Sequence, residues 1–152
     1  SDTLIKLLKK NSFLPKWFIL IQPTSIFITL ETLNNLISEI QNDKKARSAQ
    51  TIVRVPHQFH LFNQRSFDGK YTKFLFPKKR KFQHNKQTKT KNYAYGNLIA
   101  TQTMYFLKNK SFFVNPSVAI EISRMQSFDV DDELDLKVVN QIIKKPLSYY
   151  EK

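Results

Sequence analysis

The 152-residue chain contains no cysteine, only two glycines, and no apolar run near the length of a membrane span. Without cysteine there is no disulfide and no thiolate metal site. A membrane-crossing helix needs about 20 apolar residues in succession, and "WFILI" (Trp17 to Ile21) is far shorter. The N-terminal "SDTLIKLLKK" lacks a signal-peptide layout, because Asp2 comes early and Lys interrupts the apolar residues. These absences predict a soluble, cytoplasmic protein. The scarcity of glycine excludes more. Nucleotide-binding α/β proteins bring backbone close to phosphate through a glycine-rich loop, and Gly69 and Gly96 stand alone. Negative charge is also missing from a long segment. Between Asp68 and Glu121 there is no acidic residue, against eleven Lys or Arg.

What is present predicts a folded chain. Hydrophobic residues make up 41% of it, with thirteen Phe. A single domain of this size buries roughly 68–70% of its unfolded surface. The formal net charge of +13 is concentrated in "PKKRKFQHNKQTKTK" (Pro77 to Lys91), where seven Lys or Arg are interleaved with Phe82 and His84. Lys and Arg in this density neutralise phosphates and release counterions, so nucleic-acid binding is one reading. A solvated loop is the plainer one. His57, His60 and His84 have no ligand spacing with a second acidic group and read as loop or surface residues.

Along the chain, residues 3–10 predict a short helix. The apolar run 17–21 predicts a strand buried on both faces, as in a parallel sheet. Thr29 reads as an N-cap, and Leu33, Leu36, Ile37 and Ile40 recur at helical spacing, which predicts an amphipathic helix over 30–42. "TIVRV" (Thr51 to Val55) is β-branched and predicts the next strand. Strand, helix and strand in this order suggest a crossover unit. Residues 56–95 change character, with aromatics alternating with basic and polar residues around the turn signal "FDGKY" (Phe67 to Tyr71). They predict an extended, hairpin-like arm. "NLIATQTMYFL" (Asn97 to Leu107) predicts a strand leading into a helix. The chain closes as a strand edge, a turn and a helix with Leu134, Val138 and Ile142 on one face.

"SFDVDDELDLKVVNQII" (127–143) holds five of the twelve acidic residues: Asp129, Asp131, Asp132, Glu133 and Asp135. Side chains alternate along an extended segment. Phe128 and Val130 would then face the core, and Asp129 and Asp131 would share the other side. Two carboxylates at a strand end suit a hard cation such as Mg²⁺, completed by water and substrate phosphates. The plainer reading is an N-cap, with Asp131 or Asp132 as the cap and Glu133 and Asp135 favoured by the helix dipole. The two readings use different residues and are compatible.

Several stretches, in order over nearly the whole chain, resemble the N-acylneuraminate cytidylyltransferases, also called CMP-sialic acid synthetases. "ILIQPTS" (Ile19 to Ser25) is similar to the family's strand ending in Gln-Pro-Thr-Ser. "VPHQF" (Val55 to Phe59) resembles a segment of some members. "SFF" (Ser111 to Phe113) resembles the aromatic pair lining the sugar pocket, and "SFDVDDELDL" resembles the Asp-x-Asp metal motif with the helix after it. "SDT" at the start is similar to an Asp-Thr that opens an earlier helix.

The resemblance implies an α/β fold: a Rossmann-like, mostly parallel sheet of the nucleotide-sugar transferase type, N-terminally incomplete, with residues 56–95 as a dimerisation arm. It implies transfer of CMP from CTP to a nine-carbon 2-keto sugar acid, with release of pyrophosphate, by a homodimer. It further implies that Asp129 and Asp131 hold Mg²⁺, that Gln22 hydrogen-bonds the sugar, that Phe112 and Phe113 wall the N-acyl group, and that Lys86 binds the sugar carboxylate. The chain departs from the pattern in places. Ile26, Phe27 and Ile28 stand where the family has Pro-Leu-Arg or Pro-Leu-Lys. "YGNLIA" (Tyr95 to Ala100) replaces an Asn-Gly before an Ile-Tyr strand, and Lys86 replaces an Arg, losing the bidentate fork for a carboxylate. The family's first strand and its glycine-rich, CTP-gripping loop have no counterpart. A fragment or split enzyme and a catalytically inactive dimer partner are the alternatives this leaves.

Overall fold

The computed structural model describes residues 5–7, 10, 14–82 and 90–145. Residues 5–7 and 10 are helical. The remainder of the helix expected over 3–10 lies outside the described residues, as do His84 and Lys86. The chain divides into two compact units, one of Ser1–Val53 with Tyr95–Lys152, the other of Arg54–Ala94.

The first unit is mixed α/β. Its elements are β1 (Trp17–Ile21), α1 (Leu30–Asn42), β2 (Ser48–Arg54), β5 (Tyr93–Gln102), α3 (Thr103–Asn109), β6 (Ser117–Ile122) and α4 (Glu133–Ile142). The strands form a four-stranded sheet in the order β1-β5-β2-β6. β1 pairs antiparallel with β5, Trp17 opposite Gln102 and Ile21 opposite Leu98. β5 also runs against β2, since Gln102 N–H donates to Arg47 C=O at one end and the amides of Asn97 and Leu98 donate to Thr51 Oγ1 further along. β2 and β6 are parallel, Ser48 opposite Ser117 and Val53 opposite Ile122.

The expected mostly parallel sheet is therefore corrected. Its pairings are mostly antiparallel, although β1, β2 and β6 share one direction. The reason is the placement of β5. The strand–helix–strand order of 17–54 does define a crossover, but β5 enters between the two strands and opposes both.

The period-2 alternation of β1 covers both faces of the sheet. Trp17 and Ile19 lie on the side of α1, where Leu36, Ala49, Leu98 and Ala100 form the core with Leu33, Ile40, Val118 and Ile120 packed against it. Burying a leucine such as Leu36 contributes roughly 1.5–3 kcal/mol. Phe18 points the other way and packs edge-on against Phe106 of α3 (centroids 5.1 Å) and Phe112 (5.9 Å). The helix α1 starts as the spacing predicts, with Thr29 Oγ1 accepting from the Thr32 amide.

The second unit contains two single-turn 3₁₀ segments (His57–Phe59 and Leu61–Asn63), strands β3 (Arg65–Phe67) and β4 (Thr72–Phe74), and a short helix α2 (Pro77–Lys81). β3 and β4 pair antiparallel. The turn between them has Gly69 at φ 97°, a conformation that favours glycine, and Asp68 Oδ1 accepts from the Lys70 and Tyr71 amides. Those two bonds hold the Asp68 carboxyl below its ordinary range. The unit's base is closed by Val55 N–H donating to Asn92 C=O. His60, expected at the surface, is buried: Nε2 bonds Thr90 C=O, Nδ1 accepts from the Phe62 amide, and the ring stacks edge-on with Phe62. Arg65 and Arg80 both stack on the Phe74 ring, at 4.3 and 4.1 Å.

Among the described residues no helix is long and apolar enough to cross a membrane.

Candidate functional site

Two segments far apart in sequence meet beyond the end of β1. The chain leaves β1 through Gln22 and Pro23, both exposed, and turns so that Ser25 N–H donates to Gln22 C=O. This turn buries Ser25, whose Oγ donates to Asp129 Oδ1 at 3.4 Å across 104 residues of sequence. One residue on, Val130 N–H donates to Thr24 C=O at 3.2 Å. Phe27, fully inside, packs edge-on against Phe128. The "QPTS" stretch and the "FDV" stretch are thus fastened by a side-chain bond, a backbone bond and a ring pair. Ile26 and Phe27, which depart from the family pattern, sit in this junction, and Phe27 supplies the ring pair.

The position of Asp129 also depends on the loop before it. Asn97 on β5 donates from Nδ2 to Gln126 C=O at 2.6 Å and accepts at Oδ1 from Thr51 Oγ1 at 3.0 Å. Gln126 reaches on to Thr32 Oγ1 of α1 at 3.1 Å. Buried polar groups joined this way fix a single arrangement. Beside them Gly96 packs so closely that a Cβ would stand 2.6 Å from Thr51 Oγ1 and 2.9 Å from Ile122 Cδ1. Both glycines of the chain are therefore accounted for by folding, one in a turn and one in a close approach.

The acidic residues divide by role. Asp132 is the N-cap of α4, its Oδ1 accepting from the Leu134 and Asp135 amides, and Asp135 Oδ2 accepts in return from the Asp132 and Asp131 amides. This capping box satisfies amides that the helix leaves without partners. Asp129 and Asp131 take no part in it through their side chains. Asp131 is exposed and Asp129 half-buried. Among the described residues no group of three or more His, Asp or Glu could hold a metal ion. Two carboxylates are the kind of ligand that Mg²⁺ takes alongside waters and substrate phosphates, and that is the donor chemistry Asp129 and Asp131 would offer.

The aromatic pair splits. Phe112 packs into the cluster with Phe18 and Phe106, and its carbonyl accepts from Thr101 Oγ1. Phe113 is 59% exposed and meets Tyr95 edge-on, centroids 5.5 Å apart. Tyr95 was not singled out as a site residue by the sequence. Burial, and then the charge of Asp129, push its phenol above the ordinary tyrosine value. Gln22, Asp129, Asp131 and Phe113 therefore sit on the sheet unit with Ser25 and Tyr95 added, while Lys86 lies outside the described residues.

Compared with known proteins, the chain matches no family model and no curated protein sequence.

Proposed function

We propose that the chain is a nucleotidyltransferase of the N-acylneuraminate cytidylyltransferase type, built on a Rossmann-like domain and acting on CTP and a nine-carbon 2-keto sugar acid. What carries this reading is the fastening of the Gln22–Ser25 turn to Asp129 and Val130. It brings together the two stretches whose resemblance to the family implies the sugar site and the metal site. In the reaction the anomeric hydroxyl oxygen attacks the α-phosphorus of CTP, the bond to pyrophosphate breaks, and the hydroxyl proton is released. The chain's part is to hold the attacking oxygen in line and to offset charge. Asp129 and Asp131 would hold Mg²⁺, which supplies positive charge against the phosphate oxygens when bound. Gln22 would hydrogen-bond the sugar, and the open side of Phe113 would receive the N-acyl group, with Phe112 anchored against Phe18 and Phe106.

The test is pyrophosphate release from CTP and Mg²⁺ with and without N-acetylneuraminate. Release is expected only with the sugar acid. Asp131→Asn is expected to lower it by roughly a hundredfold or more while the circular dichroism spectrum stays unchanged, because the Asp131 side chain is exposed. Equal rates in the two proteins would remove the metal assignment.

The Arg54–Ala94 unit supports a homodimer. Phe59, Phe67, Tyr71 and Phe82 are each more than half exposed, and apolar surface of this kind marks interaction sites.

A further inference from the structure

Three elements of the 54–94 unit bring two arginines onto one ring. Arg65 on β3 lies directly across the strand pair from Phe74 on β4, and Arg80 comes from α2. Their guanidinium carbons stand 4.3 and 4.1 Å from the centre of the Phe74 ring. Both also bond Asn63. Arg65 Nη1 donates to its carbonyl oxygen at 3.2 Å, and Arg80 Nη1 donates to its Oδ1 at 2.7 Å. Like charges gathered on one ring repel each other, and the ring and the asparagine hold them there nonetheless. The common remedy inside a protein is a carboxylate. The sequence of 54–94 has eleven Lys or Arg and a single acidic residue, Asp68, whose Oδ1 is taken by the Lys70 and Tyr71 amides of its own turn.

We infer that Arg65 and Arg80 form a binding site for a phosphate group. A guanidinium presents five N–H donors in a planar fork, and stacking on an aromatic face fixes the plane of that fork. A carboxylate has two oxygens and fills one fork. A phosphate has the oxygens and the charge to meet both. Arg65 is exposed, so a ligand can reach it from solvent. The site uses neither Asp129 nor Asp131 and stands apart from the sugar-acid reading. Its phosphate comes either from a small soluble molecule or from the backbone of a nucleic-acid strand.

Calorimetric titration without Mg²⁺ tests this, with inorganic pyrophosphate and a short single-stranded oligothymidylate as probes. Binding of pyrophosphate would give the small-molecule source, and binding of the oligonucleotide alone the strand; either supports the site. With the probe that binds, Arg65→Gln and Arg65→Lys should each weaken affinity by about tenfold or more. The lysine keeps the charge and loses the fork. Both variants should melt as the wild type does without ligand. Lys70→Gln, outside the pair, should bind as the wild type does. No binding of either probe to the wild type would overturn the inference. So would full binding by Arg65→Lys, or an equal loss in Lys70→Gln, because a diffuse positive surface would then be enough.

Discussion

In the sheet unit Leu36, Leu98, Ile99 and Ala100 are almost wholly enclosed, whereas among the described residues of 54–94 only His60 and Phe62 are buried. The first unit is held by a core between a sheet and helices on its two faces. The second is held by a buried histidine with both nitrogens bonded, by two arginines on one phenylalanine ring, and by a hairpin turn. Chains or segments near 40 residues rarely bury enough surface to be stable alone. The homodimer proposed above would give the exposed apolar residues of 54–94 a use. Phe67 and Phe82 are 68% and 84% exposed, a poor use of aromatic area within one chain and a good one between two.

The largest effect should come from the core. Leu36→Ala is expected to destabilise the protein by about 2–5 kcal/mol, read from the denaturant midpoint. A change below about 1 kcal/mol would mean that the sheet unit is not the seat of stability. The smallest effect should come from the other unit. Phe82→Ser is expected to change stability by no more than about 0.5 kcal/mol and to shift sedimentation toward monomer. Unchanged self-association would remove the dimer reading for this surface. Steep loss of polynucleotide binding with salt, if such binding were seen, would favour the nucleic-acid reading of the same basic segment.

Much of the fold was legible because it is local. Five consecutive apolar residues gave β1, the Thr29 cap and the spacing of Leu33, Leu36 and Ile40 gave α1, and "FDGKY" gave the hairpin turn. The insertion of β5 between β1 and β2 was not legible, since local pattern says nothing about which strands become neighbours. β6 was not expected, because "SVAIEI" is short and its partner β2 lies far away in sequence. In α4 the expected apolar face was misplaced. Leu134 is 67% exposed and Val138 partly so, while Val139 is the buried residue. At the site, Gln22, Asp129, Asp131 and Phe113 could be named from motifs. Tyr95, Asn97 and Gln126 could not, because their roles arise from the register of β5 and from hydrogen bonds to distant loops. Ser25 was visible as part of "QPTS", yet its partner Asp129 was not.

The acidic stretch holds a helix cap at Asp132 and Asp135 and, in the function proposed above, a cation site at Asp129 and Asp131. Titration with Mn²⁺ in the presence of CTP, followed by the loss of the free-ion paramagnetic resonance signal, tests this most directly. The wild type and Glu133→Gln are expected to bind the ion alike, and Asp129→Asn and Asp131→Asn each to bind it more weakly, by about tenfold or more. Equal binding by all four proteins would contradict the cation site.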